Sequence, residues 1–80
     1  MKPPRDVDAR QLIKALARIG YTVARQSGSH IRLTTAAPSP HFVTVPNHSP
    51  LKIGTLHAIL AEIAAHQRID KATLIEKLFS

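Results

Sequence analysis

His30 is the residue whose setting supports chemistry most directly, because it follows the turn-forming segment Ser27-Gly28-Ser29. Gly28 lets the backbone turn sharply and leaves space beside the imidazole, and Ser29 adds a hydroxyl. An imidazole takes up or releases a proton near neutral pH. Beside RNA, it would act as general base or as general acid; as a base, it would remove the proton of a 2′-hydroxyl, whose oxygen then attacks the adjacent phosphate. From spacing alone, a histidine that only caps a tight turn is the commoner case.

Four further basic side chains are candidates to assist such a reaction by binding RNA. Arg25 and Arg32 flank the turn, where cations would stabilise the charge that develops on the phosphate. His48 follows a predicted strand and points either toward the sheet or into a solvated turn. Lys52 is a candidate to stabilise phosphate charge. Which group would act as the second proton carrier stays open.

A basic stripe on the first predicted helix is formed by Arg10, Lys14 and Arg18, which are spaced four residues apart. Residues at this spacing share one side of a helix. A solvated face and a face that tracks the RNA backbone explain the stripe equally well.

The groups that metal-dependent enzymes need are missing or scattered. The carboxylates follow no metal-binding or acid–base spacing: Asp6, Asp8, Glu62, Asp70 and Glu76. The chain has no cysteine, no phosphate-binding glycine loop and no dinucleotide fingerprint. His57 and His66 are predicted on a helix surface, and His41 in a proline-rich loop without a metal-ligand partner. We therefore expect no metal and no cofactor.

The composition predicts a single domain over residues 1–80, since 80 residues leave no room for a second core. Eleven Lys and Arg against five Asp and Glu give a net charge of +6, which favours a polyanion or an acidic protein as partner. The lack of cysteine indicates a reducing cytoplasm, and no apolar run approaches the length of a membrane span.

Hydrophobic periodicity predicts the elements that position His30. The first helix is expected over residues 8–19, with Asp8 as its cap and Gly20 just past its end. Three strands are expected at 21–26, 31–35 and 42–45, with a proline loop at 36–40. A second helix begins near residues 53–55, and its core positions are Leu56, Ile59, Leu60 and Ile63. Asp70 is expected to cap a short last helix.

The predicted fold class is therefore α+β, in the order α-β-β-β-α with an extra C-terminal helix. A three-stranded antiparallel sheet would carry the helices on one face. The other face would stay open to solvent, where a ligand can lie.

Three segments in order resemble the HicA toxin family: residues 25–30 (RQSGSH), 45–48 (VPNH) and 53–60 (IGTLHAIL). With the first helix, the resemblance covers about residues 8–63. It implies a fold like that of the double-stranded-RNA-binding domain, cleavage of mRNA, and neutralisation by a HicB antitoxin. It also assigns the catalytic role to His30 and matches Gly28 to the motif glycine. Residues 54–56 match the family's Gly-Thr-Leu, where we expect the start of a helix and core packing.

Two segments depart from the family pattern. Residues 35–41 carry prolines where many relatives have a glycine-containing turn, which puts the loop's RNA contacts in doubt. Residues 64–68 replace a shorter glycine-containing break and lead into a further helix, which puts antitoxin docking or self-association in doubt. Neither departure involves His30.

The sequence thus predicts a metal-independent endoribonuclease toxin of a type II toxin–antitoxin system, with RNA and a HicB-type antitoxin as partners. The alternative is a non-catalytic double-stranded-RNA-binding module, which typically needs a lysine-rich helix start. Here Lys52 stands alone before Gly54. A third hypothesis is a module that binds only an acidic protein.

Overall fold

The structure is a computed structural model that describes residues 6–80. Its elements in chain order are α1 (Ala9–Ala17), β1 (Thr22–Ser27), β2 (His30–Thr35), β3 (His41–Pro46), α2 (Ile53–Gln67) and α3 (Lys71–Phe79). The strands form one antiparallel sheet in the order β1-β2-β3. This architecture confirms the predicted α+β fold with its extra C-terminal helix, and each predicted strand lies within one residue of its observed bounds.

Helix α1 begins where the sequence predicts because Asp8 and Gln11 form a reciprocal capping box. The Asp8 carboxylate accepts from the Gln11 backbone N–H at 2.8 Å, and the Gln11 side chain accepts from the Asp8 backbone N–H at 2.9 Å. The helix ends two residues earlier than predicted, at Ala17, and Gly20 then turns the chain with a φ of +100°. Tyr21 follows as a fully buried residue just before β1.

The two faces of the sheet differ because side chains alternate along β2 and β3. Apolar side chains on one face are buried beneath the helices: Ile31, Leu33, Val43 and Val45. Exposed side chains occupy the other face, which we call the open face: His30, Arg32, Phe42 and Thr44. The sheet is thus covered on one side and open on the other, as predicted.

The helices α2 and α3 complete the core. The four predicted core positions of α2 are all buried, and α3 buries Leu74, Ile75 and Leu78. Asp70 caps α3 by accepting from the Thr73 backbone N–H at 2.6 Å, as predicted. Among residues 6–80, every helix is too short or too polar to cross a membrane.

Candidate active site

The turn before His30 is a two-residue hairpin loop. Ser27 pairs with His30, so that Gly28 and Ser29 alone connect β1 to β2. Gly28 has a φ of +58°, whereas Ser29 does not have a positive φ; this combination is typical of a type II′ turn. The Ser29 carbonyl accepts from the Asn47 backbone N–H at 2.7 Å, which ties the turn to the segment after β3. His30 is therefore the first residue of β2 and lies exposed on the open face.

A β-bulge at Ala24 brings Arg25 to the same face as His30. Val23 pairs with the buried Leu33, but Arg25 already pairs with Arg32, so two steps along β1 match one step along β2. Strict alternation would place Arg25 on the side of Val23. The bulge reverses the alternation and turns Arg25 to the open face, beside Arg32. The sequence predicted the arginine but not the bulge that orients it.

These side chains line an open concavity of about 310 Å³. Its lining residues are Arg25, Ser27, His30, Arg32 and Thr44. His30 is the member of this set that can exchange a proton near neutral pH, since guanidinium groups keep their protons. The arginines supply positive charge, and Ser27 and Thr44 supply hydroxyl groups. The arrangement fits a proton-transfer reaction on an anionic substrate.

The guanidinium of Arg32 lies over the ring of Phe42, with Cζ 4.4 Å from the ring centroid. Phe42 sits on β3 opposite Thr34, so it is the diagonal neighbour of Arg32 across the strands. Its side chain is 53% exposed, although phenylalanine is usually buried. Phe42 was not among the sequence-predicted site residues, because no local pattern distinguishes it from a core residue of β3.

Two of the other candidates, His48 and Lys52, lie outside this concavity. The backbone carbonyl of His48 accepts from the Ala9 N–H at 3.1 Å, and its exposed side chain is not part of the lining. Lys52 is the exposed N-cap of α2. The Gly54–Leu56 segment lies in the first turn of α2 and Leu56 is buried, which confirms the expected helix start and core packing. A Cβ placed on Gly54 would meet no atom within 4 Å.

The basic stripe of α1 is also separate from His30. Arg10 and Lys14 line a second concavity, and Lys14 and Arg18 line a third together with Leu78. Arg18 donates from its guanidinium to the Leu78 carbonyl at 3.0 Å. Arg18 thus links α1 to the end of α3, which is a structural role that the sequence did not indicate.

The structure corrects the predictions for His41 and His66. His41 begins β3, with Nδ1 2.8 Å from the Tyr21 hydroxyl and Nε2 3.3 Å from a Glu62 carboxylate oxygen. Its ring stacks on that of His66, with centroids 4.2 Å apart. Neither is an isolated residue, because the packing of α2 against β3 brings them together from positions 25 residues apart in the chain. Within residues 6–80, no group of three or more His, Asp or Glu is placed to hold a metal ion.

Comparison with known proteins gives one match. A family model described as "HicA toxin of bacterial toxin-antitoxin" matches residues 9–65, which include α1, the whole sheet and most of α2. Helix α3 lies outside the matched region. No curated protein and no solved structure matches the chain.

Proposed function

The chain belongs to the HicA toxin family of bacterial toxin–antitoxin systems, and we propose that it is a metal-independent endoribonuclease that cleaves mRNA with His30 as its single catalytic histidine. The observation that supports this most is the position of His30. It lies exposed at the start of β2, in one concavity with Arg25 and Arg32. A base and two cations beside an open surface provide the proton acceptor and the charge stabilisation that cleavage of a phosphodiester uses.

In this mechanism, His30 removes the proton from the 2′-hydroxyl of the nucleotide at the concavity. The freed oxygen attacks the adjacent phosphorus, and the bond to the 5′-oxygen of the next nucleotide breaks. The products are a 2′,3′-cyclic phosphate and a 5′-hydroxyl. Arg25 and Arg32 stabilise the charge that develops on the phosphate. A single histidine does not act as base and acid at once, so we assign protonation of the leaving oxygen to solvent water.

The partner of such a toxin is an antitoxin, and we propose that it is of the HicB type and that both proteins act in the cytoplasm. An antitoxin that covers the open face would block His30 and both arginines together. The positive charge of the chain favours an acidic covering surface.

The test uses purified full-length protein and a defined RNA, with EDTA present throughout. We expect His30→Ala to cleave about 10²- to 10⁴-fold more slowly than the parent, which is the usual contribution of a general base. His57→Ala is the matched control, because His57 lies on α2 and not in the concavity. Circular dichroism establishes that both variants are folded.

A modified RNA tests the role of the 2′-hydroxyl, and a duplex RNA tests the alternative function. An RNA with a single 2′-deoxynucleotide at the cleavage position should resist cleavage, since the attacking oxygen is missing. Equal rates for the parent and a folded His30→Ala variant would exclude the catalytic role of His30. A parent that binds duplex RNA but shortens no RNA would favour the non-catalytic binding module. Cleavage that is absent in EDTA and appears only when metal is added in excess of the EDTA would exclude the metal-independent mechanism.

A further inference from the structure

The open face carries its chemistry in three successive rows across the strands. The first row is Ser27 and His30, and the second is Arg25, Arg32 and Thr44. The third is Thr22, Thr34 and Phe42. Along β2, Thr34 of the third row lies four residues after His30 of the first row, which in an extended strand is a distance of roughly 13 Å. A proton-transfer group, two cations and an aromatic ring thus follow one another along one surface.

Phe42 adds little to the core, because its neighbours Val43 and Val45 are buried whereas its own ring is half exposed. The Arg32 guanidinium lies over its ring, with Cζ 4.4 Å from the centroid. A stacked guanidinium and phenyl ring form a flat surface of delocalised groups. Such surfaces bind nucleic-acid bases by stacking, and they need bases that are not already paired within a helix.

We propose that the open face binds an unpaired RNA strand, with one base stacked on the Arg32–Phe42 pair while a neighbouring phosphate lies at His30. This makes single-stranded RNA the substrate class and Phe42 a residue that positions it. This inference rests on the proposed function, because only that function places the phosphate to be cleaved at His30. It follows that duplex RNA is a poor substrate unless it opens.

The charges of the face support an extended strand rather than a duplex. Arg25 and Arg32 lie side by side in the row between His30 and Phe42, where the sugar–phosphate backbone would pass. Proteins that bind single strands combine such a cationic track with aromatic stacking. Duplex readers instead contact phosphates across grooves. At the start of α2, Lys52 is followed by the exposed apolar Ile53 and by Gly54, so these first residues of the helix add no further cation to Lys52.

Binding is measured on the full-length His30→Ala protein, so that cleavage does not consume the RNA. We expect it to bind a single-stranded oligoribonucleotide more tightly than the same sequence in a duplex. Adding Phe42→Ala should weaken single-strand binding on the order of 10-fold, the usual effect of losing one stacked base. Phe42→Tyr should retain binding, because its ring stacks equally well. Val23→Ala is the matched control: Val23 is 51% exposed but lies opposite Leu33, away from the open face.

A set of oligonucleotides with one abasic position each separates stacking from an indirect effect on Arg32. At the position that contacts Phe42, loss of the base should weaken binding by the His30→Ala protein as much as the added Phe42→Ala change does, with no further loss when the two are combined. Equal affinity for duplex and single strand, or unchanged binding by a folded Phe42→Ala variant, would overturn the proposal. So would a Phe42→Ala effect confined to antitoxin binding. Failure of the proposed function would be seen in a different measurement, since the parent protein, which retains His30, would then cleave no RNA.

Discussion

Arg25 lies directly opposite Arg32 in the register of β1 and β2. Two like charges at opposed positions of an antiparallel pair destabilise the sheet. The bulge at Ala24 creates this opposition, since uninterrupted alternation would have turned Arg25 to the other face. A bound anion that contacts both arginines would offset the repulsion between them.

This opposition predicts that Arg25→Ala has opposite effects on folding and on binding. Relief of the like-charge pair should raise the free energy of unfolding by about 0.2–1 kcal/mol in low salt. Removal of one phosphate contact should weaken single-stranded RNA binding and lower the slope of log K against log salt by about 0.7. Denaturant unfolding and a salt titration of binding measure the two effects. Lys77→Ala removes one positive charge from the exposed surface of α3 and so controls for net charge. An equal change of slope in this variant would contradict a phosphate contact at Arg25.

The two glycines at positions 28 and 54 should respond to alanine with opposite signs. Gly28 has a φ of +58°, so Gly28→Ala should cost about 1 kcal/mol of stability through backbone strain alone, since a Cβ there meets no atom within 4 Å. Gly54 has equal space but lies in the first turn of α2 without a positive φ, and Gly54→Ala should stabilise by about 0.5 kcal/mol. Thermal unfolding of both variants checks this. If both Gly28→Ala and Gly54→Ala lowered the melting temperature, the space around each residue, and not its φ angle, would determine the effect of the added methyl group.

Helix α3 lies outside the region that the family model matches, yet its buried face predicts that the fold depends on it. Leu74 is fully buried, and Leu74→Ala should lower the free energy of unfolding by about 2–5 kcal/mol. Glu76→Ala, exposed in the same helix, should change it by less than about 0.5 kcal/mol. Urea unfolding at one pH measures both. A small effect at Leu74 would mean that α3 is an appendage that packs weakly.

The sequence predicted the elements well because their signals are local. The apolar spacing of α2 and the cap at Asp8 act within a few residues of the chain, and the structure confirms both. The orientation of Arg25 depends on a register shift between strands, which no local pattern encodes. The stacking of His41 on His66 likewise arises only when β3 and α2 pack together. The assignment of His30 came from the ordered motifs, and its catalytic role stays a prediction.

Tyr21 gives a prediction for alkaline pH. Its hydroxyl lies 2.8 Å from His41 Nδ1 in a fully buried position. Burial raises the pKa of Tyr21 above its usual 10.0; the nearby Glu62 charge adds to this and the Gln67 side chain opposes it. As the pH rises above about 10, the unfolded chain releases this proton while the folded chain keeps it. The contribution of Tyr21 to stability is therefore complete below pH 10 and is lost above it.

Comparison of the parent with Tyr21→Phe isolates this effect, because the lysines and other groups titrate in both proteins. Near pH 8 the variant should be less stable by about 1 kcal/mol, the usual value of one hydrogen bond. That difference should shrink as the pH rises from 10 to 11, since the parent alone loses stability through Tyr21. Guanidinium unfolding at fixed pH steps measures it. A constant difference across this range would show that the hydroxyl ionises as freely in the folded protein as in the unfolded chain.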